Sequence, residues 1–341
     1  MIQQSIIQKI VEAIEAERAL FAGSDNQFAK KLGISNSQYS NIKNGKTDRQ
    51  LAESKWIRLA RELGVQFGNL PAWKTANTRV FQMLSAQLEH CQRTSTSALL
   101  CDLSDIGKSY TAQYYAKHNM NVVYVDCSQV KTKSALIRYI AQKYGVNYTD
   151  TYANVYQDLT YYIKTLMNPL IILDEAGDLQ YAAFLEIKAL WNAVEGCCGF
   201  YMMGADGLKA KIQRAIQNKK VGYTEIFSRF GKNYLSFIPL EADQRKELTQ
   251  KDAIAIIKAN MPEGTDPNKI LRKCLSDDGT PSLRRISKEL LKMYAMGDGG
   301  ADGKRTEGLP AGRPAGQDGT AHGTNLTGPA GQDEASINGC H

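Results

Sequence analysis

Five short, unbroken apolar runs spaced through the middle of the chain constrain the fold most. They are SALLCDL (97–103), NVVYVDC (121–127), PLIILDE (169–175), GFYMMGA (199–205) and YLSFIPL (234–240). Each is too short for a helix and lacks the alternation of a half-exposed strand, so each suits a strand buried on both faces. The stretches between them are amphipathic and long enough for crossover helices. Residues 80–240 are therefore expected to form a parallel α/β layer structure. Residues 1–70 have helical periodicity broken at Gly23, Gly33, Gly45 and Gly64, and residues 243–296 look wholly helical. The expected organisation is a helical domain over 1–67, a Pro-containing joint over 68–79, the α/β core over 80–240 and a helical region over 241–296. From 297 to 341 the chain carries twelve Gly and three Pro, too little apolar matter for a core, and is read as a disordered tail.

The first run leads into Asp102-Leu103-Ser104-Asp105-Ile106-Gly107-Lys108-Ser109-Tyr110, and a helix-like segment follows. This matches the phosphate-binding pattern G-x-x-x-x-G-K-[ST] at every fixed position but the first, where Asp102 replaces Gly. The strand-loop-helix context matters because loop N–H groups and the helix N-terminus cradle phosphates. Lys108 would reach the β and γ phosphates of ATP, and the Ser109 hydroxyl would hold Mg²⁺. Sixty-six residues beyond Lys108, the third apolar run reaches Asp174-Glu175 at its end. Asp174 would help hold Mg²⁺, and Glu175 would orient the attacking water. Arg229, in Ile226-Phe-Ser-Arg-Phe-Gly231, precedes the last run and is placed to act on a neighbouring subunit's nucleotide. In the helical region Arg284 or Arg285 would reach the bound nucleotide.

Near the N-terminus, residues 24–45 read SDNQFAKKLGISNSQYSNIKNG. Ser24 or Asp25 can cap one helix, Gly33 sits at a tight turn, and Ser35 or Asn36 can cap the next. Phe28, Ala29 and Ile42 would face inward. That is the rhythm of a helix-turn-helix, whose second helix would present Asn36, Ser37, Gln38, Ser40, Asn41 and Lys43 to the major groove. Residues 24–61 hold eight Lys/Arg against three Asp/Glu, so most of the net charge of +7 sits in this segment.

Taken together these motifs resemble those of the AAA+ ATPases, and among them the transposition proteins of the MuB, TnsC, TniB and IstB family. The resemblance spans roughly residues 20–296. It implies a five-stranded sheet in the order 5-1-4-3-2 with a small helical lid, Arg229 as a finger acting in trans, and Arg284 as the sensor on the lid. It also implies duplex DNA and a transposase as partners, and an ATP-dependent homo-oligomer, as a helical filament or ring. Lys131, Lys133, Arg138, Lys209, Lys211 and Arg214, after the second and fourth runs, would line the DNA. Two departures stand out: Asp102 and Asp105 put carboxylates in the phosphate loop, and Ala205-Asp206 follow Gly204 where the family favours a polar residue such as Asn. The function implied is ATP-dependent capture of target DNA for a transposase. The alternatives are a helicase-loader-like ATPase and a transcription regulator with a nucleotide-sensing domain.

Other classes are disfavoured. Four His and seven Cys without any C-x-x-C spacing do not suggest a metal hydrolase or a disulfide scaffold. No run of about 18 uncharged apolar residues exists to cross a membrane, and the charged N-terminus lacks a signal-peptide core, so a cytoplasmic location is expected.

Overall fold

The computed structural model of the protein describes residues 3–65 and 72–297. The expected tail over 297–341 lies outside these residues except for Gly297, as does the part of the joint before residue 72.

The N-terminal domain is four helices: α1 (Gln4–Ala19), α2 (Asp25–Leu32), α3 (Asn36–Lys43) and α4 (Glu53–Leu63). Local chemistry sets their boundaries. Ser24 and Ser35 each form a reciprocal capping box, with Gln27 and Gln38 respectively. Gly33 ends α2 in the left-handed conformation at φ +65°, which a Cβ would disfavour. Ile10, Ile14, Phe28, Tyr39, Ile42, Trp56 and Leu59 fill the core between the helices.

The α/β core begins with α5 (Arg79–Thr94). It continues through β1 (Ser97–Cys101), α6 (Lys108–His118), β2 (Val122–Asp126), α7 (Lys133–Lys143), α8 (Tyr152–Thr165) and β3 (Leu170–Asp174). After α9 (Tyr181–Ala193) come β4 (Gly199–Gly204), α10 (Asp206–Gln217) and α11 (Tyr223–Arg229). The four strands are parallel, in the order β1-β4-β3-β2. Every residue of β3 and β4 is buried, which is why those runs are continuously apolar. Successive side chains still go to opposite faces. Ile171, Leu173, Phe200 and Met202 pack under α7–α11, whereas Leu170, Ile172, Tyr201 and Met203 pack against α5 and α6.

The sheet corrects one expectation: it has four strands, not five. The run at 234–240 lies beside β1, where the resemblance places a fifth strand, but makes a single parallel bridge, Leu100 to Leu235. The ladder ends because the next N–H groups are taken by a side chain. Those of Phe237 and Ile238 donate to Asp102 Oδ2 at 2.5 and 3.1 Å, and Pro239 has none to offer.

Three helices close the described chain: α12 (Ala242–Asn260), α13 (Pro267–Lys273) and α14 (Leu283–Gly297). Ala253, Ile257, Ile270, Cys274, Ile286 and Leu290 form their core, and Trp73 from the joint packs against it. The joint is pinned to this lid. Asn260 accepts from the Lys74 N–H at 2.7 Å and donates back to its carbonyl at 2.9 Å. Asp252 accepts the N–H groups of Arg79 and Val80 at the start of α5. The helix-turn-helix also rests on the core. Gln142 of α7 donates to the Lys31 carbonyl, and Lys143 pairs with Glu62 at 3.2 Å. Gly145 faces this contact at φ +74°, where a Cβ would stand 2.5 Å from the Gln27 carbonyl oxygen.

Candidate nucleotide site and DNA-facing surfaces

All four strands point their C-terminal ends to one edge, and the phosphate-loop pattern and the Asp174-Glu175 pair both lie there. Register sets Cys101 beside Gly204 and Asp126 beside Asp174. Such an edge is where parallel α/β sheets bind ligands. The loop 102–107 leaves β1 and enters α6 through Gly107 at φ +92°. A cavity of about 280 Å³ opens between Leu103–Ile106, Val80 at the start of α5, and Thr280 and Leu283 of the lid. Its walls come from both the α/β core and the lid.

Lys108 is buried, and its ammonium donates to the carbonyls of Asp102, at 2.9 Å, and Leu103. Burial lowers its pKa below the ordinary lysine value, while Asp102, Asp174, Glu175 and Asp206 oppose that shift. Asp206, two residues beyond Gly204, is thus within charge range of Lys108. Asp174 is 2% exposed. Its Oδ1 accepts the Glu175 N–H at 2.9 Å and its Oδ2 accepts the Tyr124 hydroxyl at 2.7 Å. Glu175 holds a left-handed backbone, φ +50° and ψ 39°, a conformation that costs a non-glycine residue on the order of 1 kcal/mol. Burial first, and then the neighbouring Asp174 charge, raise its carboxyl above the usual glutamate value.

The two unexpected acids of the loop have separate tasks. Asp102 turns its carboxylate away from the cradle. Oδ1 accepts the Leu103 N–H at 2.7 Å and Oδ2 takes the two N–H groups of 237–238. Its place among the nucleotide-binding residues is corrected to this extent: only its backbone carbonyl faces Lys108. Asp105, at φ +61°, reaches the lid. It accepts the Ser282 hydroxyl at 2.7 Å and the Arg284 N–H at 3.2 Å, and stands 3.9 Å from the Arg284 Nε. A carboxylate there meets the positive end of α14. Arg284 is therefore beside the loop, whereas Arg285 donates to the Leu275 carbonyl instead.

Arg229 lies elsewhere. Its Nε donates to Asn192 at 2.7 Å and its guanidinium sits 5.2 Å from the centre of the Trp191 ring. Trp191 in turn donates to Ser97, the first residue of β1. The loop departs from the other end of that five-residue strand, about 13 Å further on. Arg229 and Lys108 of one chain thus occupy opposite ends of the sheet.

On α3, Asn36, Ser37, Ser40 and Lys43 are exposed. Gln38 and Asn41 are turned toward the following loop instead, donating to the Gln50 carbonyl at 3.1 Å and its side-chain oxygen at 2.8 Å. Lys43 pairs with Asp25 at 2.8 Å, and this contact lowers the Asp25 pKa. The basic residues of the core divide similarly. Lys131 pairs with Asp178 and Lys133 with Glu186, while Arg138 donates to the Tyr148 carbonyl. Lys211 is corrected as a candidate for the DNA surface. It donates to the carbonyls of Gly177 and Leu179 at 2.7 and 2.6 Å, securing the loop after β3, and burial lowers its pKa. Lys209, beside the Tyr234 ring, and Arg214 remain exposed. Sequence reasoning missed Tyr124, Asn192, Asp252 and Asn260, which lie in strands or amphipathic helices with no local signal. Ser282 could have been found as the hydroxyl preceding SLRRI's helix.

Among the described residues no helix is long and apolar enough to cross a membrane. Residues 91–212 match the AAA domain family and residues 14–70 the helix-turn-helix family. The chain is 26% identical over 216 residues to the Mu-like prophage FluMu DNA transposition protein B of Haemophilus influenzae, covering 61% of this chain and 72% of that protein. Among solved structures it is similar to the Aeropyrum pernix ORC1 protein in complex with DNA, with a TM-score of 0.49 and 17% identity, covering 67% of this chain and 62% of that one. The Thermotoga maritima RuvB Holliday junction branch migration motor gives a TM-score of 0.29 and 18% identity over 65% of this chain and 69% of that one. The chain thus spans less than two thirds of the first of these structures. The chain is a MuB-like AAA+ ATPase with an N-terminal helix-turn-helix domain.

Proposed function

We propose that the protein is an ATP-driven DNA-binding switch that captures target DNA and delivers it to a transposase. One observation carries the reading furthest. A phosphate loop and an Asp-Glu strand end share one sheet edge, in the same chain as a helix-turn-helix, and the whole resembles a transposition protein. Loop N–H groups and Lys108 hold the triphosphate, the base enters the cavity toward Val80 and the lid, and Arg284 contacts the phosphates from α14. The donors at Ser109 and Asp174 are hard oxygens, a set that suits Mg²⁺ shared with substrate phosphates. Magnesium held there neutralises phosphate charge. Glu175 orients the attacking water, and its raised pKa makes it a better proton acceptor near neutrality.

Arg229 cannot serve the nucleotide of its own chain from the far end of β1. It acts on a neighbour's, so hydrolysis requires a homo-oligomer, built as a filament or ring on duplex DNA. The exposed face of α3 and the exposed Lys209 and Arg214 contact phosphates, which gives affinity with little sequence information.

The test is assembly on random duplex DNA with and without ATP, followed by electron microscopy and competition. Wild type should assemble cooperatively only with ATP, with a slope of log K against log salt of about −3 or steeper per protomer. Lys108→Ala should weaken ATP binding by about 100-fold or more and abolish assembly. Arg229→Ala should leave monomer ATP binding unchanged yet reduce cooperative assembly and turnover. A single short sequence preferred by about 10³-fold over random DNA, occupied by one dimer, would replace this reading with an operator-binding regulator.

A further inference from the structure

Asp174 is held by more than its own strand. Tyr124 lies on β2 opposite Ile172 of β3, and its ring reaches diagonally, two residues along, to place its hydroxyl 2.7 Å from Asp174 Oδ2. An ionised carboxylate only accepts, so the single hydroxyl proton of Tyr124 points at Asp174. The phenol oxygen is then free to accept, and Gln113 Nε2 donates to it at 3.2 Å. Gln113 lies one turn beyond Ser109 on α6, on the same helix face. A directed chain of two hydrogen bonds thus runs from the helix that carries Ser109 to the strand end that carries Asp174.

These two elements are not neighbours in the sheet: β4 separates β1, which leads into α6, from β3. The Gln113–Tyr124–Asp174 chain ties the helix carrying Ser109 to Asp174 through side chains. The other oxygen of Asp174 is occupied by the Glu175 N–H, so the carboxylate is fixed at both ends and turns neither way.

We propose that Tyr124, supported by Gln113, is a positioning residue that presets Asp174 for the metal–nucleotide complex; this rests on the ATP reading above. Outer partners of this kind are worth about 10–100-fold in metal affinity. A loose Asp174 would leave the phosphate cradle intact but lose the preset carboxylate.

The experiment measures nucleotide affinity in EDTA, and then Mn²⁺ affinity of the full-length protein with a non-hydrolysable ATP analogue by electron paramagnetic resonance. Tyr124→Phe, which keeps the ring, should weaken Mn²⁺ about tenfold or more and leave metal-free nucleotide affinity within about twofold. Gln113→Leu should weaken Mn²⁺ about threefold, as expected for loss of one long hydrogen bond. The double variant should be no weaker than Tyr124→Phe alone, because Gln113 acts through Tyr124. Mn²⁺ affinity unchanged in Tyr124→Phe, or a loss of metal-free nucleotide affinity as large as the Mn²⁺ loss, would overturn the proposal. Asp174→Ala separates the two levels. If it loses Mn²⁺ while Tyr124→Phe keeps it, only the positioning role fails. If it keeps Mn²⁺ too, the assignment of the metal site fails with it.

Discussion

The capping side chains of the helix-turn-helix domain bond close to home, whereas the two acids of the phosphate loop also reach far across the chain. Ser24 to Gln27 and Ser35 to Gln38 close within three residues. Asp102 reaches 135 residues to Phe237, and Asp105 reaches 177 to Ser282. The first region fixes helix ends one at a time, and losing one cap frays one helix. The second couples the loop to the fifth position of the sheet and to the lid, so a single carboxylate there supports several elements. Substitutions in the two regions should therefore differ in size and in reach.

The largest effect is expected from Asp102→Gly, the change that would complete the phosphate-loop pattern. It orphans the buried N–H groups of Phe237 and Ile238, each costing roughly 1–3 kcal/mol, and adds the backbone entropy of glycine, about 0.5–1 kcal/mol. Chemical denaturation should show a loss of about 3–5 kcal/mol, in the transition of the α/β core. A variant as stable as wild type would show that Asp102 does not anchor 237–238, and that long reach does not imply large effect.

Ser35→Ala is the local counterpart. It removes one cap and its capping box, worth about 1 kcal/mol. The change should be confined to the helix-turn-helix: amide exchange should rise in α3 and stay unaltered in β1, β3 and β4. Ser35→Gly should cost only a few tenths of that. If the same substitution lowered nucleotide affinity, the local character of this domain would be wrong, and the α2–α7 contact would be transmitting the change.

The difference in range also explains what could be read from the residues. The capping positions at 24–25 and 35–36 and the turn at Gly33 follow from adjacent residues, and the strand order 1-4-3-2 comes from the resemblance to the AAA+ ATPases. The site's loop and the Asp174-Glu175 pair are likewise contiguous. What escaped was non-local. The run 234–240 has the composition of a strand, and only the carboxylate of Asp102 shows why its ladder stops. Lys211 has the look of a solvated basic residue, but two carbonyls on a loop more than thirty positions away hold it. Tyr124 is one apolar-looking residue in a strand, and nothing beside it announces Asp174.

The smallest effect is expected where backbone strain and charge meet, at Glu175. Its folded pKa is raised by burial and by Asp174, so the native state binds this proton more tightly than the unfolded chain. At pH above the folded pKa the carboxyl is ionised in both states, and the native state carries the whole penalty. As pH falls through the folded pKa toward the unfolded value, the native state gains a proton first and the penalty disappears. Glu175→Gln removes the charge at every pH. It should stabilise the protein at neutral pH by less than about 1 kcal/mol, because the carboxyl is solvent-screened. The gain should shrink to nothing below the ordinary glutamate pKa near 4.5. ATP turnover should nevertheless fall at least tenfold while ATP binding persists, and complexes with DNA should become long-lived. Melting wild type and variant side by side from pH 4 to 8 checks the sign. A variant less stable than wild type at neutral pH would mean that the glutamate charge supports the fold, and that the site edge, like the capping boxes, is built for stability first.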